Sequence, residues 1–105
     1  MEIAKIKVLE DCLGGGMVYE YLLTGGVPED LIRTMAAEGR LDYHPEFLLP
    51  FYKIITPDGL QIKGIMGEVS VEVVYPQEDR EQKKRDFEER FRRALEGLAW
   101  AGEGS

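Results

Sequence analysis

Two side chains in this sequence could supply thiol or imidazole chemistry, the single cysteine Cys12 and the single histidine His44. Brought together, they would form a thiolate–imidazole pair of the kind used in nucleophilic catalysis. The sequence has no asparagine to orient the imidazole, and Asp42 is too near His44 in the sequence to be diagnostic of that role. A free cysteine is most often a small buried hydrophobic residue. We therefore favour a structural Cys12 and keep a redox or metal accessory role through Cys12 as an alternative hypothesis.

The rest of the composition is poor in catalytic side chains. The only serines are Ser70 and Ser105, so hydrolase triads and zinc sites need more residues than the chain carries. Four carboxylates are scattered along the sequence without the spacing of an EF-hand loop: Asp42, Glu46, Glu68 and Glu72. We therefore expect no metal and no cofactor, and the composition favours a protein that is not an enzyme.

The densest aromatic stretch is the segment 43–52, which also contains two prolines. One interpretation is that it closes the end of the core, because a small domain needs most of its large side chains inside. The other is a binding or dimer surface, since aromatic residues are enriched at interface centres. The candidate binding residues are Tyr43, His44, Phe47, Phe51 and Tyr52.

The same segment supports a second hypothesis about function. His44, together with Tyr43, Asp42 or Glu46, could form the polar groups of a small enzyme or of a small-ligand-binding domain. Such a site requires that these groups converge in an apolar cleft.

The charge balance and hydropathy exclude several classes of partner. The formal net charge of −7 argues against nucleic acid, because binding to phosphates needs a basic face. No apolar run of about 18 residues is present, so we expect no association with a membrane. One cysteine cannot form an internal disulfide, which favours a cytoplasmic protein. The absence of asparagine and the many Glu/Arg pairs resemble a thermophile's composition, although GC-rich codon usage gives a similar bias.

The first half of the sequence predicts a β-hairpin followed by a helix. Residues 2–10 and 17–23 have the alternation and the β-branched and aromatic content of strands, and glycines 14–16 lie between them. Pro28 followed by two acidic residues is a helix start, and the apolar spacing predicts a helix over 28–38.

The second half predicts three strands and a long helix. Residues 42–50 are interpreted as irregular, because each of the two prolines restricts the residue before it. A Pro-Asp-Gly turn separates the first two strands, and Gly67 separates the second from the third. The predicted strands span residues 51–56, 60–66 and 69–75, and the helix spans residues 77–98.

These elements predict an α+β fold in the order β-β-α-β-β-β-α. Short turns favour antiparallel neighbours, so we expect a two-layer sandwich in which two helices cover one face of a mainly antiparallel five-stranded sheet. Residues 1–98 form a single domain in this interpretation, and 99–105 form a flexible tail. The preferred function is a non-enzymatic interaction or regulatory module that binds a protein partner and self-associates as a homodimer.

Overall fold

The computed structural model describes residues 1–11, 17–37 and 39–104. These residues form six strands and two helices. The strands are β1 Ile3–Asp11, β2 Met17–Leu23, β3 Arg40–Tyr43, β4 Phe51–Ile55, β5 Gln61–Ile65 and β6 Ser70–Tyr75. The helices are α1 Glu29–Met35 and α2 Arg80–Gly104.

The strands form one antiparallel sheet in the order β1-β2-β6-β5-β4-β3. The predicted α+β fold with an antiparallel sheet is confirmed, but the prediction of five strands is wrong by one. The strand absent from the prediction is β3, a four-residue segment that pairs with β4. Its register places Arg40 opposite Ile55 and Tyr43 opposite Tyr52. Its sequence is too short to show alternation, and the proline that follows made the whole region look irregular.

Both helices pack on the same face of the sheet and share one hydrophobic core with it. Side chains of a strand alternate between faces, so every second residue of the central strands enters this core. The buried strand residues include Tyr21 of β2, Val71, Val73 and Tyr75 of β6, Ile62 of β5, and Tyr52 and Ile54 of β4. The helices contribute Leu31 and Ile32 from α1, and Phe87, Phe91 and Leu95 from α2.

The apolar spacing of the two helices explains where they lie. In α2 the buried residues Phe87, Phe91 and Leu95 recur every four positions, which places them on one side of the helix. The helix continues to Gly104, past the predicted end at residue 98, and the predicted flexibility of 99–105 stays a prediction. Neither helix in the described part of the chain is long and apolar enough to cross a bilayer.

The segment before α1 is held tightly against the turn between β5 and β6. The Val27 amide donates to the Glu68 carbonyl at 2.8 Å, and the Gly67 amide donates to the Val27 carbonyl at 2.8 Å. A Cβ on Gly26 would meet the Gly67 carbonyl oxygen and would lie 2.9 Å from the carbonyl carbon. Glycine at position 26 is therefore explained by close backbone packing.

Candidate functional site

The face of the sheet opposite the helices, here called the open face, is not covered by any element of the described chain. It presents a mixture of charged and apolar side chains, and none of its residues belongs to the buried core. An antiparallel sheet can expose one face to water, but that face is then usually polar. The apolar residues of the open face are Val18 and Leu22 of β2, Val74 of β6, Ile65 of β5, and Phe51 and Ile55 of β4.

A line of six charged residues crosses the middle of the open face, one from each strand. The register pairs Lys7 with Glu20, Glu20 with Glu72, Glu72 with Lys63, Lys63 with Lys53, and Lys53 with Asp42. Adjacent members are therefore direct neighbours across the strands. We call these six residues the charged row, and it contains three lysines and three carboxylates.

The apolar part of the open face continues into the loop between β3 and β4, residues 44–50, here called the hairpin loop. The His44 ring stacks on Phe47 with centroids 5.1 Å apart and contacts Phe51 at 4.7 Å. Phe47 is 50 % exposed, Leu48 99 % and Leu49 60 %. Exposed apolar groups gathered in this way are typical of an interaction surface rather than of a closed core.

The structure separates the five predicted binding residues by face. Tyr52 is only 1 % exposed and lies in the core, and Tyr43 lies beside it and donates from its hydroxyl to Met66 Sδ at 3.0 Å. His44, Phe47 and Phe51 form a cluster of rings in mutual contact on the other side. The two interpretations of the aromatic segment thus divide between its members: its tyrosines pack in or against the core, and the other three rings are exposed.

The hydrogen bonding of His44 bears on the hypothesis of an enzyme or ligand site. Its Nδ1 lies 3.4 Å from Glu46 Oε1, on the exposed hairpin loop. The Tyr43 hydroxyl is engaged with Met66, and the Asp42 side chain belongs to the charged row. Of the three polar groups that this hypothesis names, Glu46 is therefore the one that lies beside His44, and the hypothesis of an enzyme or ligand site stays a prediction.

A cavity of about 220 Å³ lies between α1, the β4–β5 turn and α2. Its walls are largely apolar, with Met35, Ile62 and Phe91 among them, and Arg90 and Thr56 supply polar atoms. Ligand pockets usually measure about 300–1,000 Å³, so this cavity is small for a metabolite. Neither His44 nor Tyr43 lines it.

The prediction about Cys12 falls outside the described residues. Within the part of the chain that the structure describes, no three His, Cys, Asp or Glu side chains are close enough to hold a metal ion. The redox or metal role through Cys12 therefore stays a prediction.

A polar network inside the core joins the sheet to α2. The Tyr21 hydroxyl donates to Glu88 Oε2 at 2.8 Å and lies 2.7 Å from the Tyr75 hydroxyl, which therefore donates to it. Lys84 Nζ lies 2.9 Å from the same Glu88 oxygen and 5.2 Å from the centre of the Tyr19 ring. Burial first, and then the hydrogen bonds and charges around it, raise the pKa of Tyr21 well above its ordinary value. Because Tyr21 and Tyr75 are fully buried, this network is structural.

We expect the Tyr21→Phe variant to lower the free energy of unfolding by about 1–3 kcal/mol, because it leaves the buried Tyr75 hydroxyl without its acceptor. Tyr75→Phe should lower the free energy of unfolding by less, since Tyr21 still donates to Glu88. The double variant should cost less than the sum of the two single variants. Urea unfolding monitored by circular dichroism measures all three, and strictly additive effects would contradict the network.

The most informative residues of the site, those of the charged row, were missed by sequence reasoning. The sequence shows Asp42 and Glu72 only as scattered carboxylates, and it gives no sign of a role for Lys53 and Lys63. The row exists only through the register of six strands, so its members are far apart in sequence. A local signal is present in part, because Lys7 and Glu72 each lie on the polar side of an alternating strand.

Comparison of the chain with models of protein families, with curated proteins and with solved structures finds no match in any of the three.

Proposed function

We propose that this protein is a small, non-enzymatic interaction module of the cytoplasm that binds protein surfaces, including a second copy of itself, through its open face and hairpin loop. The observation that carries the proposal is the apolar surface that runs from Leu48 and Leu49 through the adjacent rings of Phe47 and Phe51 onto the sheet. These side chains contribute little to the core, and their exposure to water is unfavourable by about 25 cal/mol per Å².

The chemistry of the surface supports a protein partner. Exposed aromatic rings beside aliphatic side chains match the composition of interface centres, where aromatic residues are enriched. The open face also offers a shallow groove of about 520 Å³, lined by residues that include Phe51, Ile65, Lys53 and Glu72. Apolar and charged groups alternate there at the spacing of strands, which suits another polypeptide surface better than a small metabolite.

The proposal predicts that the wild-type protein self-associates and that Phe51→Thr weakens this association at least tenfold. Threonine keeps the β-propensity of the position but removes the aromatic ring from the open face. Light scattering after size-exclusion chromatography, from about 1 to 100 μM, measures the dissociation constant in the range of weak specific contacts.

Val8→Thr is the matched control. Val8 is 55 % exposed, more than Phe51 at 39 %, but it pairs with Tyr19 on the helix-covered side of the edge strand β1. This variant should therefore associate like the wild type. A wild-type protein that is strictly monomeric at about 100 μM would contradict the proposed self-association.

A further inference from the structure

The charged row contains two arrangements that are unfavourable in an isolated chain. Glu20 lies directly opposite Glu72 on the neighbouring strand, and Lys53 lies directly opposite Lys63. Like charges at directly opposed positions destabilise a sheet. Lys63 Nζ approaches Glu72 Oε2 only to 3.9 Å, and Glu20 accepts a hydrogen bond from Ser70 Oγ at 2.8 Å. The chain therefore places like charges side by side at the centre of a face that no element of the described chain covers.

The order of signs along the row indicates what would relieve this repulsion. From β1 to β3 the charges are positive, negative, negative, positive, positive and negative. Reversing the order inverts every sign. A surface with this property is complementary to its own copy after rotation about an axis that passes through the middle of the row, parallel to the strands.

We infer that the partner of the open face is a second copy of this chain, packed sheet to sheet about a twofold axis that runs along the strands between β6 and β5. This inference rests on the proposed function and adds the identity and arrangement of the partner. Each member of the charged row then faces an opposite charge, and each pair occurs twice because a twofold interface is isologous. The pairs are Lys7 with the partner's Asp42, Glu20 with the partner's Lys53, and Glu72 with the partner's Lys63.

Other arrangements of the same two faces are disfavoured by the row. A twofold axis along the row would place every charge opposite its own copy, giving six like-charge contacts. A shift of one strand in either direction from the inferred arrangement gives three like-charge contacts and two opposite ones. The row therefore selects both the axis and the register, and charged residues commonly act in this way at interfaces.

Four of the six apolar residues of the open face meet apolar partners under the same rotation, and the other two, Ile65 and Val74, face the partner's Ser70 and Gln61. On one side of the row, Leu22 of β2 faces the partner's Phe51 of β4, one apolar side chain against another. On the other side, Val18 of β2 faces the partner's Ile55 of β4. Aligned sheets pack with their strands within about 30° of each other, so rows of this kind can meet along their length. Apolar contacts on both sides of the charges provide attraction, and the charges fix the register.

The test uses three charge-reversal variants of the full chain. In the homodimer, Lys53→Glu places a carboxylate opposite the partner's Glu20, and Glu20→Lys places an ammonium group opposite the partner's Lys53. We expect each of these two single variants to have a dissociation constant raised at least tenfold. An equimolar mixture of the two should form a heterodimer more tightly than either variant self-associates. The two reversed positions then face each other with opposite charges, and the second pair of positions 20 and 53 keeps its wild-type charges. The double variant E20K/K53E should recover the homodimer, because both copies of the pair are again opposite in sign.

Analytical ultracentrifugation of the separate and mixed proteins measures these affinities, and circular dichroism verifies the fold. Arg85→Glu, on α2 behind the sheet, changes the net charge as much as Lys53→Glu and should leave association unchanged. The inferred arrangement is overturned if the single variants dimerise as tightly as the wild type. It is also overturned if neither the mixture nor the double variant recovers the dimer. In both cases a wild type that dimerises leaves the proposed function standing. A wild type that is monomeric at about 100 μM overturns the inferred arrangement and the proposed self-association together.

Discussion

Above about pH 10, the free energy of unfolding of this protein is expected to fall by about 4 kcal/mol for each pH unit as a result of three buried tyrosines. Burial raises the pKa of Tyr21, Tyr52 and Tyr75 well above the ordinary value of 10.0, whereas the unfolded chain ionises each phenol near that value. The native state therefore holds three more protons than the unfolded state in this range, and stability falls as the pH rises. The stability that the three protonated phenols contribute is fully present below about pH 10, where the unfolded chain keeps them protonated too.

Tyr52 allows one of these three contributions to be isolated. Its hydroxyl is buried without a hydrogen-bond partner among the described residues, and Gly64 leaves the space it occupies, since a Cβ there would lie 2.7 Å from it. Tyr52→Phe should therefore leave the stability at pH 7 unchanged or slightly increased. Above pH 10, this variant should lose about 1.4 kcal/mol less of its free energy of unfolding per pH unit than the wild type.

Urea unfolding of the wild type and the Tyr52→Phe variant between pH 8 and about pH 11 measures both effects. The lysines titrate in the same range but are common to the two proteins, so the difference between the curves reports Tyr52 alone. Two alkaline curves with the same slope would show that the phenol of Tyr52 ionises in the native state as easily as in the unfolded chain.

Replacing Gly26 with alanine is expected to lower the free energy of unfolding by about 1–3 kcal/mol, the usual cost of overpacking. The new Cβ would meet the carbonyl of Gly67, and this backbone is fixed by the hydrogen bonds between Val27 and the residues of the β5–β6 turn. Neither the turn nor the segment before α1 can move away without losing one of those bonds.

Gly25→Ala is the matched control one residue earlier. A Cβ there would meet only the flexible end of Met1, at 3.4 Å, and neither glycine has the left-handed φ that disfavours alanine. We expect Gly25→Ala to change the stability by less than about 0.5 kcal/mol. Thermal unfolding of the two variants, measured side by side, distinguishes close packing at Gly26 from a general need for glycine in this segment. Equal losses of stability in the two variants would indicate the general need.

The sequence predicted most elements because their signals are local. The alternation of residues 69–75 and the Pro57-Asp58-Gly59 turn each lie within a few residues, and the structure has β6 and the β4–β5 hairpin there. β3 was missed because four residues show too little alternation. Without β3, the opposite orientations of Tyr43 and His44 could not be deduced, although adjacent residues of a strand always face opposite sides.

The candidate site was predictable only in part for a related reason. Exposure of Phe47 and burial of Tyr52 depend on which face α2 covers, and periodicity alone does not specify that. The charged row depends on the pairing of β2 with β6, which joins residues 50 positions apart, such as Glu20 and Ser70. Register over such distances follows from the packing of the whole core, in which Tyr21 and Val71 are opposed.

That long-range pairing also has a consequence for the folding kinetics. The β1–β2 hairpin and the β3–β4–β5–β6 meander consist of neighbours in sequence, and hairpins of this kind form within microseconds. Joining β2 to β6 requires closure of a much longer loop, which slows folding. Lys7 and Glu20 belong to the first unit, and the other four charges belong to the second. When only the two units have formed, the six charges are not yet arranged in one row. The proposed recognition by a second copy would therefore begin only after β2 has paired with β6.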